Sequence, residues 1–198
     1  MPSPLTIHVV RHGQTDYNLE KRYAGRTDVP LNDTGRAQAT DLIPLVIAAG
    51  WPTIISSPLK RALETATIIA NGLNASHIKT ADELMERSLG VYEGLTKEEA
   101  AERYPELYAR GVTRLRNDAP TNGETPCQVD ERIRTFMNRL PKDSVASNFL
   151  LVTHGFVAKA IDLYFHPDKS EEEYFSFSVP NAQLMSYEIK RELKIVSF

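Results

Sequence analysis

Two apolar runs, each closing on a histidine and a glycine, constrain this chain more than any other feature. The first, Leu5-Thr-Ile-His-Val-Val, runs directly into Arg11-His12-Gly13, and the second, Phe149-Leu-Leu-Val-Thr, ends in His154-Gly155. Short runs of β-branched and large apolar residues read as buried strands. Functional groups in open α/β sheets gather at the carboxyl ends of strands. If the two strands lie near one another in one sheet, both imidazoles emerge at the same edge. Glycine after each histidine permits a sharp turn and brings backbone N–H groups close to a ligand.

Strand and helix patterns alternate along the rest of the chain. Leu31-Asn-Asp-Thr-Gly reads as a helix start, with Asn32 capping free N–H groups and Asp33 suiting the positive end of the dipole. That helix is expected to reach Ala48, with a kink at Pro44. Ile54-Ile55 is a second short strand. Ser57 then reads as an N-cap with Pro58 at the first helical position, and Leu59, Ala62, Leu63, Ala66, Ile69 and Ala70 give a periodic apolar face. Residues 77–80 read as a third strand. Residues 97–116 are helical in pattern, highly charged and broken near Pro105; the segment 95–122 is expected to form a helical lobe over the site.

Thr125 caps a helix predicted over 125–140, and another follows His154-Gly155 to Tyr164. Residues 183–189 and 193–198 read as two strands joined by a charged turn. No repeat, low-complexity tract or Pro/Ser-rich linker interrupts the pattern. A chain of 198 residues sustains one core, whereas dividing it would leave two thin ones. The expectation is therefore a single α/β domain over 1–198, a three-layer α/β/α sandwich with a mixed, mostly parallel central sheet.

Composition excludes several function classes. A net charge of −3 argues against broad nucleic-acid binding, which needs a concentrated basic surface. Cys127 is the single cysteine, which rules out an internal disulfide and a multi-thiolate zinc site. A thiol phosphatase needs Cys-x5-Arg, yet position 133 is Ile; no Walker loop is present. His8, His77 and His166 are scattered without metal-ligand spacing and are expected to be structural or exposed. Residues 42–51 form the longest mostly apolar stretch, which contains Pro44 and is too short to cross a bilayer. No basic region followed by an apolar run opens the chain. A soluble cytoplasmic protein with no membrane partner is expected; its oligomeric state is not written in these residues.

Arg11 precedes the first histidine, and Arg61 falls in the first turn of the helix after Ser57. Two guanidiniums beside exposed N–H groups make an anion site, with phosphate as the natural guest. Singly, each of these residues has a structural explanation: an isolated histidine after a strand is usually a satisfied core residue, and a lone arginine usually lies on the surface. Their joint occurrence carries the argument.

That joint pattern resembles the histidine phosphatase superfamily, in its phosphoglycerate-mutase-like branch. Arg11-His12-Gly13-Gln14-Thr15-Asp16-Tyr17-Asn18 is similar to its Arg-His-Gly-x-Thr-x-x-Asn signature. Gly25, Asp28-Val29-Pro30-Leu31 and Asn32-Asp33-Thr34-Gly35 continue it, and Ser56 to Ala66 resembles the second block. Glu86-Arg87-Ser88-Leu89-Gly90-Val91-Tyr92-Glu93-Gly94 resembles the third and Thr153-His154-Gly155 the fourth, with Gly123-Glu124 and Asn181-Ala182 also in order. One triplet would be weak, but four ordered blocks are specific.

The resemblance implies a phosphoglycerate-mutase-like fold and a set of roles. His12 would be the nucleophile, with Arg11, Arg61 and His154 holding the phosphoryl oxygens. Glu86 would protonate the leaving oxygen and then activate water; Glu83 and Glu93 are its neighbouring rivals. Thr15, Asn18, Gly25, Gly155 and Arg22 would line the substrate site. Tyr23, Arg87, Arg110, Arg114 and Arg116 are further candidates for recognising a carboxylate or a second phosphate. The cationic cage would replace a metal, so neither metal nor cofactor is implied.

The superfamily holds both phosphatases and mutases. Cofactor-dependent mutases carry a longer basic insertion after the third block and an asparagine after the last His-Gly. Here residues 95–122 are short for that type, and Phe156 stands in the asparagine's place. Both departures point to a phosphomonoesterase acting on a small phosphorylated metabolite. A cofactor-dependent phosphoglycerate mutase and a catalytically inactive relative that binds a phosphorylated ligand are the alternatives.

Overall fold

The computed structural model describes residues 5–50, 52–140 and 148–189. Its strands are β1 (Leu5–Arg11), β2 (Thr53–Ser56), β3 (Ile78–Thr80), β4 (Asn148–Thr153) and β5 (Leu184–Ile189). Its helices are α1 (Asp16–Leu19), α2 (Asp33–Asp41), α3 (Ile43–Ala48), α4 (Lys60–Gly72), α5 (Lys97–Arg103), α6 (Pro105–Ala109), α7 (Pro126–Arg139), α8 (Gly155–Phe165) and α9 (Glu171–Ser176).

The strands form one five-stranded sheet in the order β3-β2-β4-β1-β5. All neighbours pair parallel except β5, which runs antiparallel to β1. Side chains alternate across this sheet. Ile7, Val9, Ile55, Phe149 and Leu151 pack with Val129, Ile133 and Phe136 of α7 and Val157 and Ile161 of α8. Val10, Ile54, Leu150 and Val152 pack on the opposite face with Leu42, Val46 and the Ala62, Ala66, Ile69 stripe of α4. These two clusters are the outer interfaces of the expected three-layer sandwich. Burying each such side chain is worth about 2 kcal/mol. A slip of one residue would exchange the faces of a whole strand, so the pairing is fixed.

That pairing positions the site. Arg11 stands opposite Thr153 in the β1–β4 register, so the next residues, His12 and His154, leave the same sheet edge side by side. The His12 N–H extends the ladder by donating to the Thr153 carbonyl at 2.9 Å.

Several local expectations are corrected. The helix predicted from Asn32 to Ala48 divides at Leu42; Pro44 lies in the first turn of α3, where its missing N–H costs nothing, and starts that helix rather than kinking it. Ser57 is not the cap of α4, and Pro58 is not its first residue. The helix begins at Lys60 after an extended Leu59, whose apolar side chain has no acceptor to cap it; the Ser57 hydroxyl accepts from the Leu59 N–H at 3.3 Å and also meets His154 Nε2 at 2.8 Å. Arg61 keeps its place in the first turn.

Thr125 caps α7 as expected, in a reciprocal box with Gln128. The predicted helical lobe breaks at Tyr104 into α5 and α6 and closes in a 3-10 turn, Val112–Arg114. Its core is a separate small cluster of Tyr92, Leu95, Ala100 and Val112. The second tail strand expected over 193–198 lies outside the described residues. Among the described residues no helix is long and apolar enough to cross a membrane.

Candidate active site

The site forms where β1 and β4 end. His12 is 3% exposed, and Arg61 and His154 are 1% and 0% exposed, so all three chemistry-bearing side chains are buried. Burying a guanidinium is costly unless its donors are satisfied. Arg61 meets that condition with Nη1 donating to the Thr27 carbonyl at 2.8 Å and Nη2 to the Gly25 carbonyl at 2.7 Å. Gly25 adopts a left-handed φ of +49° at this point, which presents its carbonyl to Arg61.

These two bonds fix the third donor. Arg61 Nε lies 3.2 Å from His12 Nε2 and 3.2 Å from His154 Nδ1, a shared contact that joins the two imidazoles. The outer ring nitrogens have partners of their own. His12 Nδ1 is 2.7 Å from the Gly13 carbonyl, which can only accept, so the ring proton sits on Nδ1 and Nε2 presents its lone pair. His154 Nε2 is 2.8 Å from the Ser57 hydroxyl, which donates or accepts as the ring requires. Burial, followed by the charges of Arg61 and Arg11, holds His12 well below the usual histidine range. Burial and the Arg61 charge do the same to His154. Both rings are therefore neutral at pH 7, the state that a nucleophilic imidazole requires.

Arg11 closes one wall. Its Nη1 donates to the Val179 carbonyl at 2.6 Å, whereas its buried Nε has no hydrogen-bond partner among the described residues. Gly155 opens α8 directly over this guanidinium: a Cβ placed there would stand 3.5 Å from the Arg11 Cζ. Glu86 sits across the same helix start, with Oε2 accepting from the Phe156 N–H at 3.3 Å and Oε1 from the Arg87 N–H at 2.9 Å. Its rivals are occupied elsewhere. Glu83 pairs with Arg139, and Glu93 accepts from Ser88, Leu89 and Thr27.

The remaining predicted residues are support or rim. Thr15 caps α1, and its N–H and hydroxyl both point at Asn18 Oδ1. Asn181 adds a third donor to that oxygen, which orients the Asn18 amide with its NH₂ as the free end. Arg22 is spent on Glu20, Glu99 and the Gly94 carbonyl. Arg87 is 2% exposed and donates to the carbonyls of Glu124 and Thr113 at 2.7 and 2.8 Å, so it ties the lobe to the site from beneath. Arg110 pairs with Asp118 and Arg116 with Asp130. Tyr23 stacks on Tyr92.

Gly13 differs from its sequence reading. Its N–H donates to Thr65 Oγ1 at 3.1 Å, and a Cβ would lie 2.3 Å from the Gly35 carbonyl oxygen. Close backbone packing, not an open ligand-facing N–H, is what requires glycine there. Ser57, Thr65 and Asn181 are the functional neighbours that sequence reasoning missed as such. Asn181 donates to the His12 carbonyl at 2.9 Å, and its only sequence signal was its place in the ordered blocks.

Comparison with known proteins agrees with this arrangement. Residues 7–197 match the profile of the histidine phosphatase superfamily (branch 1). Phosphoglycerate mutase-like protein 4 of Arabidopsis thaliana is 38% identical over 157 residues, spanning 78% of this chain and 68% of that protein. The metal-independent phosphoserine phosphatase of Arabidopsis thaliana is 32% identical over 159 residues, spanning 79% and 67%. A mycobacterial glucosyl-3-phosphoglycerate phosphatase, solved with VO3, superposes with a TM-score of 0.82 at 25% identity, covering 92% of each chain.

Proposed function

Because the chain belongs to branch 1 of the histidine phosphatase superfamily, we propose that it is a metal-independent cytoplasmic phosphomonoesterase working through a phosphohistidine at His12. Its substrate is a small phosphorylated metabolite. One observation carries the reading: a buried arginine donor, Arg61 Nε, stands 3.2 Å from His12 Nε2 and 3.2 Å from His154 Nδ1. A phosphoryl group entering between these groups meets a neutral nucleophile and cations on its oxygens at once.

In the first step His12 Nε2 attacks phosphorus in line, the bond to the leaving oxygen breaks, and Glu86 in its acid form donates a proton to that oxygen. In the second step the Glu86 carboxylate takes a proton from water. The hydroxide so formed attacks phosphorus, the phosphorus–nitrogen bond breaks, and inorganic phosphate leaves. Arg11, Arg61 and His154 hold the three non-bridging oxygens, where developing charge gains most from fixed donors in a water-poor site. The Asn18 NH₂ and the Gly155 N–H add neutral donors. Thr15 and Gly25 hold the loops that carry these groups, and Arg22 fastens the loop to the lobe.

Phe156 supports hydrolysis over mutase chemistry. Its ring lies 4.8 Å beneath the Arg87 guanidinium, so a packed aromatic occupies the place of an amide that could hold a second substrate group. The test is p-nitrophenyl phosphate turnover in EDTA by wild type and His12→Ala. Wild-type turnover that the variant lacks supports the reading, and loss of turnover on chelation removes its metal independence. Efficient conversion of 3-phosphoglycerate to 2-phosphoglycerate would make the protein a mutase instead.

A further inference from the structure

Glu86 lies where no helix or strand can hold it. Residues 85–89 are irregular backbone between two 3-10 turns, Asp82–Leu84 and Gly90–Tyr92. A catalytic group on such a segment needs its main chain fixed from outside, because a misplacement of about 1 Å can cost about 10² in rate. The Glu86 carboxylate accepts from the Phe156 and Arg87 N–H groups, and the second of these belongs to the same segment.

Arg132, on α7, supplies that hold. One edge of its guanidinium faces the Glu124 carboxylate, with Nε 3.1 Å from Oε1 and Nη2 3.2 Å from Oε2. The outer edge faces the segment: Nη1 donates to the Glu83 carbonyl, and Nη2 to the Glu86 carbonyl at 3.4 Å. Between these, Thr153 Oγ1 takes the Leu84 carbonyl at 2.8 Å. Glu124 grips the far side of the acid, because its Oε2 accepts from the Ser88 N–H at 2.9 Å. Arg26 joins the same carboxylate, with Nη2 3.2 Å from Oε1 and Nε 3.5 Å from the Glu86 carbonyl. The neighbouring Gly25 gives its carbonyl to Arg61, so this contact links the acid's segment to the cage. Burial opposes charge on Glu124, but the hydrogen bonds from Arg132 and Ser88 prevail and hold its carboxyl below the usual range. The pair is therefore ionised at neutral pH.

We propose that Arg132 and Glu124 are positioning residues for the acid: their two-point ion pair clamps the backbone on both sides of Glu86 and so sets where its carboxyl meets the leaving oxygen. The proposal rests on the phosphatase reading, with Glu86 as proton donor. Neither residue touches the substrate in this account. A planar fork that pairs with a carboxylate on one edge and two carbonyls on the other is a task a lysine cannot take over.

Two aromatic esters that differ in their need for a proton test it. Benzyl phosphate releases an alkoxide that must be protonated, whereas p-nitrophenyl phosphate releases a stable anion. Arg132→Lys and Glu124→Gln should each lower kcat/KM on benzyl phosphate by about 10–100-fold and leave p-nitrophenyl phosphate nearly unchanged. In a Glu86→Gln background neither substitution should add to the loss, since the group they position can no longer donate. Equal losses on both esters, no loss on either, or losses that multiply with Glu86→Gln would overturn the positioning role. So would loss of the folded state in both variants, which would assign the pair to stability. Wild type that hydrolyses p-nitrophenyl phosphate but not benzyl phosphate would overturn the proposal alone, because no acid would then serve an alkoxide. Wild type that hydrolyses neither would overturn the phosphatase reading with it.

Discussion

The imidazoles of His12 and His154 meet edge to face, with centroids 5.1 Å apart and planes at 61°. The protein sets this geometry from three directions. The β1–β4 register places the two rings, the Gly13 carbonyl and the Ser57 hydroxyl hold their far nitrogens, and Arg61 Nε bridges the near ones.

Arg61 should therefore be irreplaceable by another cation. A lysine has no planar fork with which to satisfy the Thr27 and Gly25 carbonyls and reach both rings at once. Arg61→Lys is predicted to lower kcat for p-nitrophenyl phosphate by about 10²–10³, the usual loss for removing a fixed transition-state donor. Steady-state kinetics with a thermal melt separate this from misfolding. A variant within tenfold of wild type would contradict the role.

Ring protonation should follow burial. An unfolded histidine binds its proton as pH falls through about 6.5, whereas His12 and His154 in the folded chain stay neutral to lower pH. The stability these rings contribute is thus fully present above that pH and lost on acidification, as the unfolded state takes up protons that the folded state refuses. The melting temperature should fall from pH 6.5 toward pH 5. In an NMR titration, the ring signals of both residues should stay fixed between pH 7.5 and 6. Midpoints near about 6.5 for either would show that the cage does not exclude the charged form.

Glu86 is expected to matter in proportion to how much the leaving group needs a proton. Glu86→Gln keeps an acceptor for the Phe156 N–H but cannot donate as an acid. It should lower kcat/KM on an alkyl phosphate by roughly 10²–10⁴, and on p-nitrophenyl phosphate, whose leaving group departs as an anion, by much less. Equal losses on both substrates would assign Glu86 a positioning role only.

Gly13→Ala tests the packing behind the nucleophile. The added methyl would lie 2.3 Å from the Gly35 carbonyl oxygen, a backbone atom that cannot turn aside. Destabilisation of about 2–3 kcal/mol is expected, which is roughly a 5–10 °C fall in Tm for a chain of this size. An unchanged melt would mean that the two loops separate without cost.

Much of this arrangement was legible before folding. Strands buried on both faces read as continuous apolar runs, so β1 and β4, and the histidines at their ends, stood out. Arg61 followed from the ordered blocks. What failed was long-range pairing of polar groups. Ser57 followed by proline carries every local mark of a helix cap, and its hydroxyl does accept from the Leu59 N–H, yet its shorter contact is with His154, 97 residues away. Arg87 looked like a substrate ligand, because backbone carbonyl acceptors leave no trace in a sequence. The helices α1 and α9, at 4 and 6 residues, are too short to show a period.

Trapping the phosphoenzyme shows whether His12 carries the phosphoryl group. Wild type and His12→Ala would each be mixed with p-nitrophenyl phosphate, quenched in alkali within the first turnovers, and mapped by mass spectrometry. One phosphate on the His12 peptide, stable in alkali, lost in acid and absent from the variant, is the predicted result. Phosphate on any other side chain, or turnover by the variant at the wild-type rate, would contradict it.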